Sequence, residues 1–258
     1  MREVFDFAIQ LAEQAGANTL KYFQQSLEII SKPDDSPVTV ADRSTEELLR
    51  AEIESHYPED AILGEEYGEK SGTSGYRWVL DPIDGTKSFI RGVPLYGTLI
   101  ALEKEDTSIF GIMRFPPLNE TVAALRGQGS FFNGIRCRVS EIPTLSSAAV
   151  MMTEMNTFIR TWGQETFFNL VHQTAFQRTW GDCYAYRLVA TGKADAMIDT
   201  EVKRWDVAAL IPIIEEAGGS ISSLDGVTSN AITNCVASNG KFHQDLLNML
   251  VQGNTRVV

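Results

Sequence analysis

The segment Trp78-Val79-Leu80-Asp81-Pro82-Ile83-Asp84-Gly85-Thr86 limits the folds open to this chain more than any other. A short apolar run ends in an aspartate, turns through proline, presents a second aspartate and opens into Gly-Thr. If residues 78–80 form a buried strand, two carboxylates three residues apart stand at its end and can face one point. Like charges held that close raise each other's proton affinity unless a cation lies between them. With the Ile83 carbonyl and the Thr86 hydroxyl, the two aspartates make a set of hard oxygen donors suited to Mg²⁺. A helix starting at Gly85-Thr86 would offer its backbone N–H groups to a phosphate. Asp-Pro and Asp-Gly also make ordinary turns, so the segment needs support from elsewhere in the chain.

Two more acidic positions supply that support. Gly64-Glu65-Glu66 follows the apolar residues 61–63, which puts Glu65 or Glu66 at a strand end or in a solvated loop. Trp205-Asp206 precedes Val207-Ala208-Ala209-Leu210, so Asp206 reads as a helix cap or as a third ligand. Three carboxylates available to one site are costly without a cation, which favours the metal reading. Competing chemistries lack their marks. His56, His172 and His243 show no paired spacing for zinc, and neither a Gx4GK[ST] loop, a GxGxxG after a strand nor a GxSxG elbow occurs. The Lys203-Arg204 pair reads as a solvated turn or as a contact for an anionic group.

Composition narrows the partners. With 22 Lys+Arg against 34 Asp+Glu the formal charge is −12, a poor basis for gripping nucleic acid or an anionic membrane. No stretch approaches the roughly 20 apolar residues of a membrane span. The start Met1-Arg2-Glu3-Val4-Phe5-Asp6 is acidic where a secretory signal is basic and then apolar. Cys137, Cys183 and Cys235 are odd in number and widely spaced, which predicts free thiols and a cytoplasmic setting.

At 258 residues the chain is one large domain or two smaller ones. Val4, Ala8, Leu11 and Ala15 predict an amphipathic first helix. A loop containing Pro33 and Pro37 follows. A second helix is expected from about Asp42, capped by Asp42, Ser44 or Thr45 and running through Leu48, Leu49 and Ile53. Residues 61–64 and 78–80 read as short buried strands, and 96–102, 109–114 and 121–125 as an antiparallel meander. Beyond a soft boundary near Pro143, apolar stretches at 148–152, 194–198 and 235–237 alternate with helical patterns at 164–173, 184–191, 206–217 and 241–251. That alternation predicts an α/β layer over 144–258, set against an α+β portion over 1–143 that carries most of the candidate ligands.

Taken together, Glu65-Glu66, Asp81-Pro-Ile-Asp84-Gly-Thr86 and Trp205-Asp206 with Glu216-Ala217-Gly218-Gly219 resemble the signatures of the inositol monophosphatase family. Ser36-Pro37-Val38-Thr39-Val40-Ala41-Asp42 resembles a fourth, and the order fits over roughly residues 5–250. Within the family, Asp84-Gly-Thr-Lys-Ser-Phe89, Pro94-Leu-Tyr-Gly-Thr-Leu-Ile-Ala101 and Trp180-Gly-Asp-Cys-Tyr-Ala-Tyr186 are similar to the histidinol-phosphate phosphatases.

The resemblance implies a five-layered αβαβα sandwich, a homodimer, and a Mg²⁺-dependent phosphomonoesterase with two to three ions in its site. It also implies roles. Glu65, Asp81, the Ile83 carbonyl and Thr86 would hold a first ion, Asp81, Asp84 and Asp206 a second, and Glu65 with water a third. Thr86 and Asp42 would orient and deprotonate the attacking water, and the Gly85 and Thr86 N–H groups would bind phosphate. Asp182 and Asp199 would face the leaving alcohol, and Lys32 lies near a loop lysine of the family. The branch implies histidinol phosphate as substrate and a place in histidine biosynthesis. Inositol phosphate, another sugar phosphate or a bisphosphorylated nucleotide are the alternatives within the family, and a catalytically silent binding member is the alternative outside it. Two metal ions suffice for direct attack by water, and the absence of a Cys-x5-Arg loop agrees with a path lacking a covalent enzyme intermediate.

Overall fold

The computed structural model describes residues 1–32 and 37–253; Pro33 and Ser36 lie outside the described residues. Helix α1 (Arg2–Leu20) opens the chain. A ribbon of β1 (Ile30–Ser31) and β2 (Pro37–Val38) leads to α2 (Val40–His56). Then come β3 (Ala61–Gly64), β4 (Gly68–Lys70), β5 (Tyr76–Asp84) and the short α3 (Thr86–Ile90). The expected meander follows as β6 (Gly97–Lys104), β7 (Thr107–Phe115) and β8 (Glu120–Leu125), extended by β9 (Gly129–Phe132) and β10 (Ile135–Arg136). The remainder runs β11 (Ala149–Met152), α4 (Met155–Trp162), α5 (Gln164–Gln173), β12 (Phe176–Arg178), α6 (Asp182–Ala190) and β13 (Ala196–Asp199). It ends with α7 (Arg204–Val207), α8 (Leu210–Glu216), β14 (Ser220–Ser222), β15 (Cys235–Ser238) and α9 (His243–Gly253).

Two sheets result. The larger has the order β10-β9-β8-β7-β6-β5-β3-β4, antiparallel except for the β3–β5 pair. The smaller has the order β12-β11-β13-β15-β14, with β11 parallel to both of its neighbours.

Strand alternation assigns the layers. Trp78, Leu80, Ile100 and Leu102 point to a core shared with Phe5, Ala8, Leu11, Leu49 and Ile53 of α1 and α2. Val79, Leu99 and Ala101 point the other way, into a core with α6, α8 and one face of the small sheet (Ala149, Met151, Met197, Ala237). The opposite face of that sheet (Val150, Ile198, Val236) packs on α4, α5 and α9 through Phe158, Leu170 and Leu246. Helices, sheet, helices, sheet, helices: the sandwich has the five layers expected. Every strand of the large sheet precedes residue 143 and every strand of the small one follows it, yet the middle core draws side chains from both.

Three local expectations change. The second helix starts at Val40, because Thr39 caps it and Asp42 completes a capping box from the third position. The strand expected at 78–80 spans 76–84, since both of its faces are buried. The pattern at 206–217 breaks into α7 and α8, because Pro212 has no N–H for the Ala208 carbonyl. At that break the Ala209 carbonyl lies against Gly111 of β7. A Cβ on Gly111 would stand 2.0 Å from that oxygen. Gly111→Ala is therefore expected to cost about 1–3 kcal/mol, read as a lower urea midpoint.

Candidate active site

Strand β5 carries the first part of the site through an irregularity in its pairing. Asp81 opposes Leu99 and Asp84 opposes Gly97, so Pro82 and Ile83 together face the single residue Thr98. Such a bulge bends the strand and re-aims its side chains, here turning both aspartates toward one place. The Thr98 hydroxyl secures the bulge by donating to the Pro82 carbonyl at 2.8 Å, and the Ile83 N–H donates to Asp81 Oδ1 at 3.0 Å. Gly85, at φ 89°, then makes the left-handed corner into α3. Gly97 is a glycine because a Cβ there would stand 2.8 Å from Cys183 Sγ, at the start of α6.

Asp206 arrives from the other side, on α7, with its Oδ2 accepting the Lys203 N–H at 2.7 Å. Asp81, Asp84 and Asp206 each bring a carboxylate oxygen within 4.8 Å of the others. Glu65 adjoins them, close enough for its charge to act on both Asp81 and Asp206. Its other neighbour is Lys32, whose ammonium lies 2.7 Å from Glu65 and 2.6 Å from Glu66.

The Glu65 turn is itself anchored. Glu46 of α2, fully buried and paired with Arg50, accepts the backbone N–H groups of Glu66 at 2.7 Å and Tyr67 at 3.2 Å. From the same helix, Asp42 Oδ2 accepts the Thr39 N–H and hydroxyl at 2.7 Å each. That leaves Asp42 Oδ1 toward Thr86, whose hydroxyl lies 3.4 Å from it and 3.0 Å from the Ile83 carbonyl.

A cavity of about 80 Å³ extends from Asp84 and Asp206 to Asp182, Asp199 and Glu201, walled by Cys183, Tyr186 and Leu210. The Cys183 N–H donates to Asp84 Oδ2 at 2.5 Å, tying α6 to the aspartate cluster. Asp199 is fully engaged: Thr153 donates to its Oδ1, and Tyr186 to its Oδ2 at 2.9 Å. No hydrogen bond among the described residues reaches the Asp182 carboxylate, which lies over Gly85.

The electrostatics follow from this crowding. Burial, then the charges of Glu65, Asp84 and Asp206, hold Asp81 well above the usual carboxylate range. Burial with Asp182 and Asp206 does the same to Asp84. Asp206 and Asp182 are pushed up to about 7 and Asp199 to about 6, in each case chiefly by burial. Burial also raises Asp42 and Glu65. Among the described residues no ion pair reaches Asp81, Asp84 or Asp206. Clustered carboxylates, all oxygen donors and lacking a protein counter-charge, fit a hard divalent cation such as Mg²⁺.

The structure thus brings together Asp42, Glu65, Asp81, Ile83, Asp84, Gly85, Thr86 and Asp206, with Asp182 and Asp199 along the adjoining cavity. The anionic groups that Arg204 meets belong to the chain itself. Its guanidinium is spent on the buried Glu103 and on Asp106, while Lys203 serves through its backbone N–H. Sequence reasoning gave no role to Thr39, Glu46, Thr153 and Tyr186, which hold the acidic residues in place. Of these only Thr39 had a readable signal, the capping-box spacing to Asp42.

Comparison with known proteins agrees with this geometry. The model of the inositol monophosphatase family matches residues 1–256. A protein of Chlorobaculum parvum named histidinol-phosphatase is 47% identical over 213 residues, 82% of each chain. One of the same name from Mycobacterium tuberculosis is 37% identical over 252 residues, covering 95% of this chain and 97% of its own. Among solved structures, an inositol monophosphatase of Thermotoga maritima superposes with a TM-score of 0.89 at 28% identity, over 98% of both chains. The chain belongs to the inositol monophosphatase family, and it is a phosphatase.

Proposed function

We propose that the protein hydrolyses histidinol phosphate to histidinol and phosphate, with Mg²⁺ as cofactor. One observation carries the substrate assignment: the cavity leading away from the aspartate cluster is walled by Asp182, Asp199 and Glu201, and of these only Glu201 has an ion-pair partner among the described residues, Arg160 at 3.7 Å. A leaving alcohol bearing an ammonium and an ionisable imidazole suits such a wall, whereas a polyol offers it only neutral hydroxyls. The histidinol-phosphatase names of two relatives support the same substrate.

In this reading Glu65, Asp81, the Ile83 carbonyl and Thr86 would hold one ion, Asp81, Asp84 and Asp206 a second, and Glu65 would contribute to a third. When bound, the cations lower the pKa of the attacking water and offset charge on the phosphate and the departing oxygen. The chain's own groups do the rest. Asp42, pinned by Thr39, accepts through the Thr86 hydroxyl the proton that the water gives up as its oxygen bonds to phosphorus. The Gly85 and Thr86 N–H groups hold the phosphate. The bond from phosphorus to the alcohol oxygen breaks, and that oxygen takes a proton from solvent. Asp182 pairs with the substrate's ammonium, which favours its charged form despite burial. Asp199, with both oxygens engaged, supports the wall.

Three free cysteines support a reducing, cytoplasmic setting, and with it a step of histidine biosynthesis. Exposed Phe176 and Trp180 at the edge strand β12 support a homodimer.

Phosphate release from histidinol phosphate and inositol 1-phosphate, compared at saturating Mg²⁺, tests the assignment. Histidinol phosphate is expected to have the higher kcat/KM. Asp182→Asn should lower that value on the order of 10²-fold for histidinol phosphate, and about tenfold or less for inositol phosphate. Wild-type preference for inositol phosphate would remove histidinol phosphate as the substrate.

A further inference from the structure

We infer that Thr153 is a positioning residue that fixes Asp182 and Asp199 as one unit, so that its hydroxyl governs selection of the leaving group. The inference rests on the proposed role of the acidic wall. Thr153 follows β11 directly and joins two segments that the sequence keeps apart, the Gly181-Asp182 corner and the end of β13. Its hydroxyl has one proton, and an ionised Asp199 can only accept, so the proton goes to Asp199 Oδ1. The oxygen's lone pair then accepts the Asp182 N–H at 3.0 Å. Both bonds depend on the same atom.

The corner that Thr153 holds is one the chain would not adopt unaided. Asp182 sits at φ 53°, in the left-handed region, where a non-glycine residue is strained unless its surroundings fix it. Gly181 permits the approach: a Cβ there would stand 2.4 Å from Thr153 Cα and 2.8 Å from its Oγ1. One residue on, the Cys183 N–H is spent on Asp84. Consecutive N–H groups of α6 therefore reach opposite ends of the site, Thr153 on the leaving-group side and Asp84 in the metal cluster. Tyr186, one turn further along α6, completes Asp199 through its Oδ2. With both Asp199 oxygens already accepting a hydrogen bond and the Asp182 backbone tied, the Asp182 carboxylate is the group freest to meet a substrate cation.

The experiment compares Thr153→Val, Thr153→Ala and Thr153→Ser with the wild type. Each is assayed at saturating Mg²⁺ on histidinol phosphate and on p-nitrophenyl phosphate, whose leaving group carries no cation. Removing the hydroxyl is expected to lower kcat/KM for histidinol phosphate about tenfold more than for p-nitrophenyl phosphate, with most of the difference in KM. Thr153→Ser, which keeps the hydroxyl, is expected to stay within about threefold of wild type. Either hydroxyl-free variant serves if the other does not fold. Equal losses on the two substrates, or a serine variant as impaired as the others, would overturn the inference. Asp182→Asn measured alongside separates the two levels. If it discriminates between the substrates while the Thr153 variants do not, only the role of Thr153 fails; if it does not discriminate, the reading of the wall fails and takes the inference with it.

Discussion

Asp81→Asn is expected to lower kcat/KM by about 10³-fold or more while leaving the protein folded. The carboxylate lies within 4.8 Å of those of Asp84 and Asp206 and feels the charge of Glu65 as well, so it is the group at the centre of the proposed cation site. An amide keeps the shape and the Ile83 N–H contact, but it takes away a full charge and one of the two oxygens that could bind a cation. Cation catalysis is worth several kcal/mol of charge stabilisation, and 1.36 kcal/mol is a factor of ten. The same change should make the metal-free protein more stable, because Asp81 is buried among like charges. Activity and stability thus move in opposite directions. A variant that is merely misfolded would lose both, so thermal unfolding in chelator distinguishes the cases.

Removing the cations is expected to reverse the usual effect of pH on stability. Asp206 and Asp182 titrate near 7 and Asp199 near 6 in the folded metal-free protein, against about 4 for an unfolded aspartate. Their folded pKa values are raised, so between about pH 5 and 7.5 the folded state holds more protons than the unfolded one. Stability must then fall as pH rises through that window. One extra proton is worth about 1.4 kcal/mol per pH unit, and about 1 kcal/mol shifts Tm by about 2–4 °C for a chain of this size. The metal-free protein is expected to melt about 5 °C or more lower at pH 7.5 than at pH 5.5. Saturating Mg²⁺ should abolish that decline by supplying the missing counter-charge. A metal-free Tm that rises from pH 5.5 to 7.5 would contradict the burial and repulsion assigned to these carboxylates.

The acidic centre was readable because each of its parts borders an apolar segment: Leu80 before Asp81, Leu63 before Gly64-Glu65, Val207-Ala208-Ala209-Leu210 after Asp206. Apolar patterning places such ends at the margin of a core, and charge clustering does the rest. The layers were readable to the extent that strand alternation separates Trp78 and Leu80 from Val79. What the sequence hid are contacts between distant segments. Glu46 looks like any helix-surface glutamate until Gly64, with no side chain, lets its carboxylate under the Glu65 turn. No local pattern shows what Thr153 and Tyr186 hold, since their partners Asp182 and Asp199 meet them only in the tertiary structure. Which anionic groups Arg204 meets was hidden for the same reason, because Glu103, its buried partner, lies 101 residues away. The break at residues 208–209 was legible in principle, as Pro212 stands in plain sight.

The central claim is that the strand-end carboxylates form a catalytic centre completed by a divalent cation. Its most direct test is phosphate release from histidinol phosphate by enzyme stripped with chelator, followed as Mg²⁺ is added back. Turnover is expected to be lost on stripping and restored in full by Mg²⁺, with Asp81→Asn failing to recover at any concentration. Turnover by the stripped enzyme equal to that with Mg²⁺ would contradict the account.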